Sequence, residues 1–225
     1  MNKLVVANLK MYMDYDTTLD YVNKVNKNII VCPSYIYIPY FLNKTIVGAQ
    51  DCYIKDNGSF TGNISPLHLK QMGVKYVIIG HSERRKSEDD KLINEKVLAA
   101  IRNKLKVILC VGENVSEDKF RKIKDQLTTD LNGVNVNNII IAYEPIWAIG
   151  TDIIPTNEQI AETSKFIKSF IRENFNNEIK VLYGGSIDIN NISTLNEIEE
   201  IDGFLIGRAS LNYETINKIY EITSK

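Results

Sequence analysis

Cysteine is scarce in this chain: Cys32, Cys52 and Cys110 are widely spaced, and no two of them form a CxxC pair. This number and spacing argue against a disulfide framework and against a zinc site. Cys32 and Cys110 end the apolar runs IIVC and VILC, where a reduced and buried side chain is the expected state.

An excess of charge of one sign is also missing, since 27 Lys and Arg residues face 28 Asp and Glu residues. The bulk charge therefore gives no attraction for nucleic acid or an anionic membrane, and a small anionic substrate would need a local cationic site. No apolar run approaches the roughly 18 residues of a bilayer span. The N-terminal segment MNKLVVANLKMY lacks the apolar stretch of a signal peptide. We therefore expect a cytoplasmic protein.

Short apolar runs recur eight times along the chain, and most of them are continuous rather than alternating. Continuous apolar strands are typical of a parallel sheet that is covered on both faces. Polar stretches with helical spacing lie between them, the clearest at 90–104, 116–131, 157–175 and 213–223. The predicted strands are 4–9, 29–32, 46–50, 76–80, 107–112, 139–144, 180–184 and 203–207.

Eight strand–helix units without a linker predict an α/β fold, a single-domain (β/α)8 barrel over residues 1–225. An open doubly wound sheet is the alternative, but it usually carries GxGxxG after its first strand. This chain has Asn8, Leu9 and Lys10 there instead. In a barrel the carboxyl ends of the strands meet at one mouth, so the polar residues that follow the runs should converge.

Glu144 ends the sixth run and is followed by PIWAIGT. A carboxylate in an apolar, closable site would be desolvated, which raises its pKa and suits it to act as a base. Capping of the next element is the alternative role for Glu144. The apolar segment after it indicates a lid that packs down over a ligand, or else a loop packed on the core. The predicted lid is Pro145, Ile146, Trp147, Ala148, Ile149, Gly150 and Thr151.

His81 follows the fourth run and opens SERRKSEDD, which predicts a helical turn. The positive end of a helix dipole disfavours imidazolium, so a neutral His81 could donate a hydrogen bond to a carbonyl. Lys10 could offset a phosphate, and Asn8 could orient a hydroxyl or a carbonyl. Taken singly, a structural histidine and a surface lysine are the ordinary interpretations. His68 lies in a helical stretch, where we expect it to be solvated.

Glycines also stand at the ends of the last two runs. The segment YGGS, which ends at Ser186, lies at the end of the seventh run, and Gly207, followed by Arg208, lies at the end of the eighth. Phosphate sites of barrels recur at these two strand ends, and glycine lets the backbone approach an anion. Two tight turns are the alternative. The long connection 51–63 lacks a clear pattern, and its aromatic Phe60 predicts docking into a second copy of the chain.

Eight segments, taken in order, resemble those of the triosephosphate isomerase family, and the likeness spans the whole chain. GHSERR and YEPIWAIGT are the most specific of them. The resemblance implies a homodimeric isomerase that interconverts dihydroxyacetone phosphate and D-glyceraldehyde 3-phosphate in glycolysis and gluconeogenesis, with no metal and no organic cofactor. The segments are NLK, GAQD, FTG, GHSERR, CVGE, YEPIWAIGT, YGGS and DGFLIGRASL.

The resemblance also implies roles for the matching residues. Glu144 would be the carbon base, and His81 would polarise the carbonyl and move protons between oxygens. Lys10 and Asn8 would bind substrate and stabilise the enediolate, while Glu83 would orient the site. The implied phosphate ligands are main-chain N–H groups of Gly150, Ser186, Gly207 and Arg208. The implied dimer loop contains Phe60, Thr61 and Gly62.

Some positions depart from the family pattern. Asp51 stands where asparagine is commoner, and Asn63 replaces a glutamate that usually pairs with an arginine, here Arg84. Arg208 stands where a second glycine is frequent, which would cost roughly 1 kcal/mol if the position required a positive φ. Asp152 replaces a common lid glycine.

Two other functions stay open at this level: a non-catalytic phosphate-binding barrel, and a different phosphosugar barrel enzyme. The first would need only the phosphate loops, whereas this chain also carries the base and the lid. GHSERR and the lid motif disfavour the second.

Overall fold

The computed structural model describes residues 2–149 and 154–224 of the chain. Its eight strands all run parallel to their neighbours: β1 (Leu4–Asn8), β2 (Ile30–Cys32), β3 (Ile46–Ala49), β4 (Tyr76–Ile79), β5 (Lys106–Val111), β6 (Ile139–Tyr143), β7 (Lys180–Tyr183) and β8 (Gly203–Ile206). The sheet closes on itself because β8 pairs with β1 as well as with β7. The predicted (β/α)8 barrel is confirmed, and the open sheet is wrong.

Within the described residues, eight α-helices accompany the strands: α1 (Tyr15–Lys24), α2 (Ile38–Phe41), α3 (Pro66–Met72), α4 (Asp90–Arg102), α5 (Lys119–Asp130), α6 (Asn157–Phe175), α7 (Ile192–Asn196) and α8 (Tyr213–Thr223). The predicted bounds of α6 and α8 are confirmed. α4 ends before Lys104, whose φ of 58° cannot continue a helix. α5 begins later than predicted because the Asp118 side chain accepts the N–H of Arg121 and caps the helix.

Seven of the eight strands end one residue earlier than predicted, β2 being the exception. At β4 the next residue, Gly80, has a φ of 71°, which a pleated strand cannot accommodate. The residues after each strand therefore belong to the loops of the barrel mouth. Glu144, directly after β6, is one of these.

The core has two parts, which explains why the apolar runs are continuous. Alternate strand residues such as Val6, Ile78 and Cys110 fill the barrel interior, while their neighbours pack against the helices. All three cysteines are free and buried, and burial raises the pKa of Cys32 to about 12. In the described ranges, no helix combines the length and apolarity that crossing a membrane requires.

Candidate active site

A cavity of about 680 Å³ opens at the carboxyl ends of the strands. It collects side chains that are far apart in sequence, as expected if the strand ends carry the chemistry. The predicted site residues Asn8, Lys10, His81, Glu83, Glu144, Ser186, Gly207 and Arg208 all line it. Gly150 and Thr151 lie outside the described residues.

Glu144 is only 3% exposed, and two glycines make room for it. A Cβ on Gly112 would lie 1.7 Å from the Glu144 carbonyl oxygen, and one on Gly184 would lie 3.0 Å from its Cγ. The carboxylate accepts the backbone N–H of Ser82 at 3.0 Å through Oε2. Its Oε1 lies 3.1 Å from Nε2 of His81. The predicted base and the predicted electrophile are thus in direct contact.

Contact between these two groups decides the direction of both pKa shifts. Burial raises the pKa of Glu144, but His81, the Ser82 N–H and Lys10 together outweigh it, so the pKa lies below its ordinary value. Burial lowers the pKa of His81, but Glu144 outweighs it and the pKa is raised. The expectations of a raised Glu144 pKa and a lowered His81 pKa are wrong, because they treated each group alone, whereas the two side chains are in contact.

The other ring nitrogen of His81 indicates which tautomer the fold prepares. Its Nδ1 accepts the backbone N–H of Glu83 at 3.2 Å, within a turn that follows β4. A nitrogen that accepts an N–H carries no proton, so a neutral His81 presents Nε2–H to the cavity. The local backbone therefore favours neutral imidazole, whereas the carboxylate of Glu144 opposes it. The hydrogen bond from the Glu83 N–H to Nδ1 would persist if a ligand separated His81 from Glu144.

Lys10 holds an unusual backbone conformation, with a φ of 50°. A left-handed conformation costs a residue other than glycine roughly 1–2 kcal/mol, and hydrogen bonds hold it here. The Lys10 carbonyl accepts from Gln50 at 2.7 Å and from Ser34 at 3.0 Å, and its N–H donates to Asn8 at 3.2 Å. Sequence analysis does not predict Ser34, because nothing local marks it.

The ammonium group of Lys10 reaches Oε1 of Glu83 at 2.7 Å. It also lies beside the turn after β8, since a Cβ added to Gly207 would meet Lys10 Cε at 3.4 Å. The Lys10 ammonium therefore lies between the side of the cavity that holds Glu83 and the side where the phosphate is predicted to bind. Such a position suits a charge that must face both a phosphate and a developing oxyanion.

The described part of the predicted lid, 145–149, contains a short 3₁₀ turn at Ile146–Ala148. Trp147 donates its Nε1–H to Oε1 of Glu113 at 3.0 Å, and Tyr143 donates its hydroxyl to the same oxygen at 3.1 Å. Ser186 donates to the carbonyl of Ala148 at 2.6 Å, which links the lid to the predicted phosphate loop. Glu113 is a site residue that sequence analysis does not assign, although its place after the fifth run was a usable signal.

Glu113 is buried, and burial raises its pKa against the opposing hydrogen bonds from Trp147 and Tyr143. This buried carboxylate accepts hydrogen bonds from Trp147 of the predicted lid and from Tyr143 of β6, and so it fixes the start of the lid segment relative to the strand. The predicted lid segment is therefore held at its amino-terminal side.

Arg208 carries no left-handed strain. Gly207 has a φ of −91°, and Arg208 begins a 3₁₀ turn, Arg208–Leu211, outside the positive-φ region. The position does not require a positive φ, so the condition under which an arginine would be strained is not met. Arg208 is exposed at the rim of the cavity.

The departure at Asp51 belongs to an ion-pair cluster with Arg84, Glu88 and Lys96. Arg84 lies 3.1 Å from Asp51 and also pairs with Glu88. Lys96, almost fully buried, lies 2.6 Å from Asp51 and 2.7 Å from Glu88. Asp51 therefore supplies to Arg84 a carboxylate that Asn63 cannot.

The predicted dimer loop extends along the surface without regular structure. The ring of Phe60 packs on Tyr53, with centroids 4.9 Å apart, and remains 36% exposed. Thr61 and Gly62 are exposed beside it. Among the residues that the structure describes, no group of three or more His, Cys, Asp or Glu side chains could hold a metal ion.

Comparison with known proteins adds to this geometry. The family model described as Triosephosphate isomerase matches residues 3–223. A protein named triosephosphate isomerase from Thermodesulfovibrio yellowstonii is 38% identical, covering 93% of this chain and 95% of its own. The protein of that name from Aquifex aeolicus is 38% identical, with 97% and 98% covered. The one from Saccharomyces cerevisiae is 39% identical, with 86% and 85% covered.

Proposed function

The chain belongs to the triosephosphate isomerase family, and from this premise we propose that it interconverts dihydroxyacetone phosphate and D-glyceraldehyde 3-phosphate through an enediolate. We assign it to the cytoplasm, in glycolysis and gluconeogenesis, as one domain over residues 1–225. The observation that carries the proposal is the 3.1 Å contact between Glu144 and His81 inside the cavity of the barrel mouth.

In the proposed reaction, Glu144 removes a proton from the carbon next to the substrate carbonyl. His81 donates Nε2–H to the carbonyl oxygen, which becomes the negative oxygen of the enediolate. Lys10, with its cation in the same cavity, stabilises that charge. Donors fixed in advance around a developing oxyanion contribute several kcal/mol to such a step.

Substrate binding would also raise the pKa of Glu144 and so make it a stronger base. Contact with His81 lowers the pKa of that carboxyl, which makes it a weaker base. A substrate that accepts the Nε2–H of His81 takes this donor away, and burial then acts on Glu144 with less opposition. The base becomes stronger when its substrate is in place.

The phosphate group is proposed to bind opposite the base, at main-chain N–H groups of Ser186, Gly207 and Arg208, with Gly150 from the lid. The Ser186 bond to Ala148 would connect phosphate binding to lid position. A closed lid excludes water, which suppresses loss of phosphate from the enediolate. A non-catalytic phosphate binder would have no use for the paired carboxylate and imidazole.

Assay of the purified chain with D-glyceraldehyde 3-phosphate tests the proposal, with Glu144→Gln as the key variant. The amide keeps the size of the side chain but cannot accept the proton, so we expect activity to fall at least about 1,000-fold. Glu162→Gln is the matched control, because Glu162 lies exposed on α6, where it pairs with Lys119. A Glu144→Gln enzyme with near-normal kcat would contradict the assigned base.

We also propose a homodimer formed by the surface around the first three strand ends. Met11 is 91% exposed, Ile36 is 74% exposed and Phe60 is 36% exposed. They follow β1, β2 and β3, which are neighbours in the barrel, so they share one side of the mouth. Exposed apolar side chains in such a group are typical of an interface.

Sedimentation of the wild type and of Met11→Glu checks the dimer. We expect the wild type to sediment as a dimer and the variant to dissociate, since a buried, unpaired charge at an interface is costly. Val115→Glu is the control, because Val115 is 81% exposed in the loop after β5. A wild type that stays monomeric at every concentration would refute the dimer.

A further inference from the structure

Arg85 lies four residues after His81, and its side chain turns back beneath the turn that carries the histidine. Although it is an arginine, its side chain is only 9% exposed. Its guanidinium donates to two main-chain carbonyls and to two carboxylates. The bonds reach Gly80 O at 2.8 Å, Cys110 O at 2.7 Å, Asp90 at 2.5 Å and Asp130 at 2.6 Å.

The carbonyl of Gly80 belongs to the peptide unit whose nitrogen is that of His81. A planar peptide moves as one body, so a donor fixed on this oxygen also fixes the start of His81. Gly80 has a φ of 71°, and a Cβ there would lie 2.9 Å from Nη2 of Arg85. The guanidinium therefore occupies the space that any other residue at this position would fill.

The second carbonyl connects Arg85 to the base. Cys110 lies on β5, opposite Ala142 of β6, two residues before Glu144. The N–H of Glu144 in turn donates to the carbonyl of Val111 at 2.8 Å. One guanidinium thus ties the strand end that presents His81 to the strand that supports Glu144.

The carboxylates hold the guanidinium from the helix side. Asp130, at the end of α5, is fully buried, and Asp90 begins α4. A planar, delocalised cation with five donors can bond to all four oxygens at once, whereas the point charge of a lysine cannot. The two carbonyls need N–H donors in the fixed, planar arrangement of a guanidinium, which forms a fork, and a positive charge alone would not replace them.

We infer that Arg85 is a positioning residue for the reaction: it sets the peptide before His81 and so the distance between Nε2 and Glu144. This inference rests on the proposed function. Small displacements of reacting groups cost much of the rate, and about 1 Å is worth roughly 100-fold. Arg85 lies behind the reacting groups, so substrate binding should depend on it little.

Arg85→Lys tests this, because it keeps the charge near Asp130 and loses the fork. We expect kcat to fall about 10- to 100-fold, with KM within about threefold of the wild type. Asp90→Asn is the matched control, since it weakens the same ion-pair group from the α4 side and leaves both carbonyl bonds. A merely structural Arg85 would lower stability and leave kcat of the folded protein unchanged, which would overturn the inference.

If Arg85→Lys does not fold, the double variant Arg85→Met with Asp130→Asn replaces it. Removing both members of a buried ion pair avoids an unpaired buried charge and is commonly tolerated. It too should lose kcat, and wild-type kcat in this variant would overturn the inference.

A second measurement separates this inference from the proposed function. NMR titration of the His81 ring should give a different pKa in Arg85→Lys and the wild-type pKa in Asp90→Asn. If the wild type does not turn over the triose phosphate but the His81 titration still moves, the proposed function fails and the positioning role stands. An unmoved titration with an active wild type would refute the positioning role alone.

Discussion

Shortening the proposed base by one methylene group, Glu144→Asp, tests the geometry of the site. The substitution keeps the carboxylate and its charge but draws it back by about 1.5 Å along the side chain. In the wild type Oε1 lies 3.1 Å from Nε2 of His81, and Oε2 accepts the Ser82 N–H at 3.0 Å. After this displacement we expect neither carboxylate oxygen to lie within hydrogen-bond distance of its wild-type partner.

The magnitude follows from this displacement. A misplacement of about 1 Å costs roughly 100-fold in rate, so we expect kcat to fall at least about 100-fold, equivalent to about 2.7 kcal/mol in the barrier. KM should change little, because the phosphate contacts proposed at Ser186 and Gly207 are untouched. Only the transition state, in which the proton is in transit, depends on the lost distance.

Steady-state kinetics in both directions measure the effect, with thermal unfolding as a check that the variant is folded. Glu162→Asp makes the same chemical change on an exposed part of α6 and should leave kcat at the wild-type value. The reasoning is refuted if folded Glu144→Asp retains kcat within about tenfold of the wild type.

Three further outcomes are expected. Glu144→Gln should lower the pKa of His81 in an NMR titration, because the carboxylate that raises it is gone; an unchanged or higher pKa would contradict the pairing. Lys10→Ala should raise KM at least about tenfold, since the cation that is proposed to face the phosphate is lost; unchanged KM and kcat would remove Lys10 from the site. Asp51→Ala should cost about 2 kcal/mol in urea unfolding, because buried Lys96 loses one of the two carboxylates that it contacts among the described residues; no loss would show that the pair does not contribute to stability.

The pH dependence of Glu144 has a definite sign. Its pKa in the folded protein lies below the ordinary value of 4.5. A depressed pKa means that ionised Glu144 contributes stability above the unfolded value, and that this contribution is lost as the pH falls through the folded value. The difference in free energy of unfolding between the wild type and Glu144→Gln should therefore shrink as the pH falls through that acidic range, as acid unfolding measures.

Local patterns determined the elements of this fold and their order. The start of α6 could be predicted because Thr156 and Gln159 form a capping box that involves only neighbours in sequence. The closing of the barrel followed from the number of apolar runs. Since the strands of a barrel all end at one mouth, the residues that follow them could be gathered into one candidate site without coordinates.

Only the tertiary structure determined the pKa shifts of that site and the residues that hold its side chains in position. The pKa directions of Glu144 and His81 reverse the sequence-based expectation because the two groups, 63 residues apart by number, touch each other. The partners of Arg85 at Cys110 and Asp130 lie 25 and 45 residues away. A sequence pattern shows which residue types are present and which neighbours they have. Hydrogen bonds and charge pairs depend on distances across strands and helices, which exist only once the chain has folded.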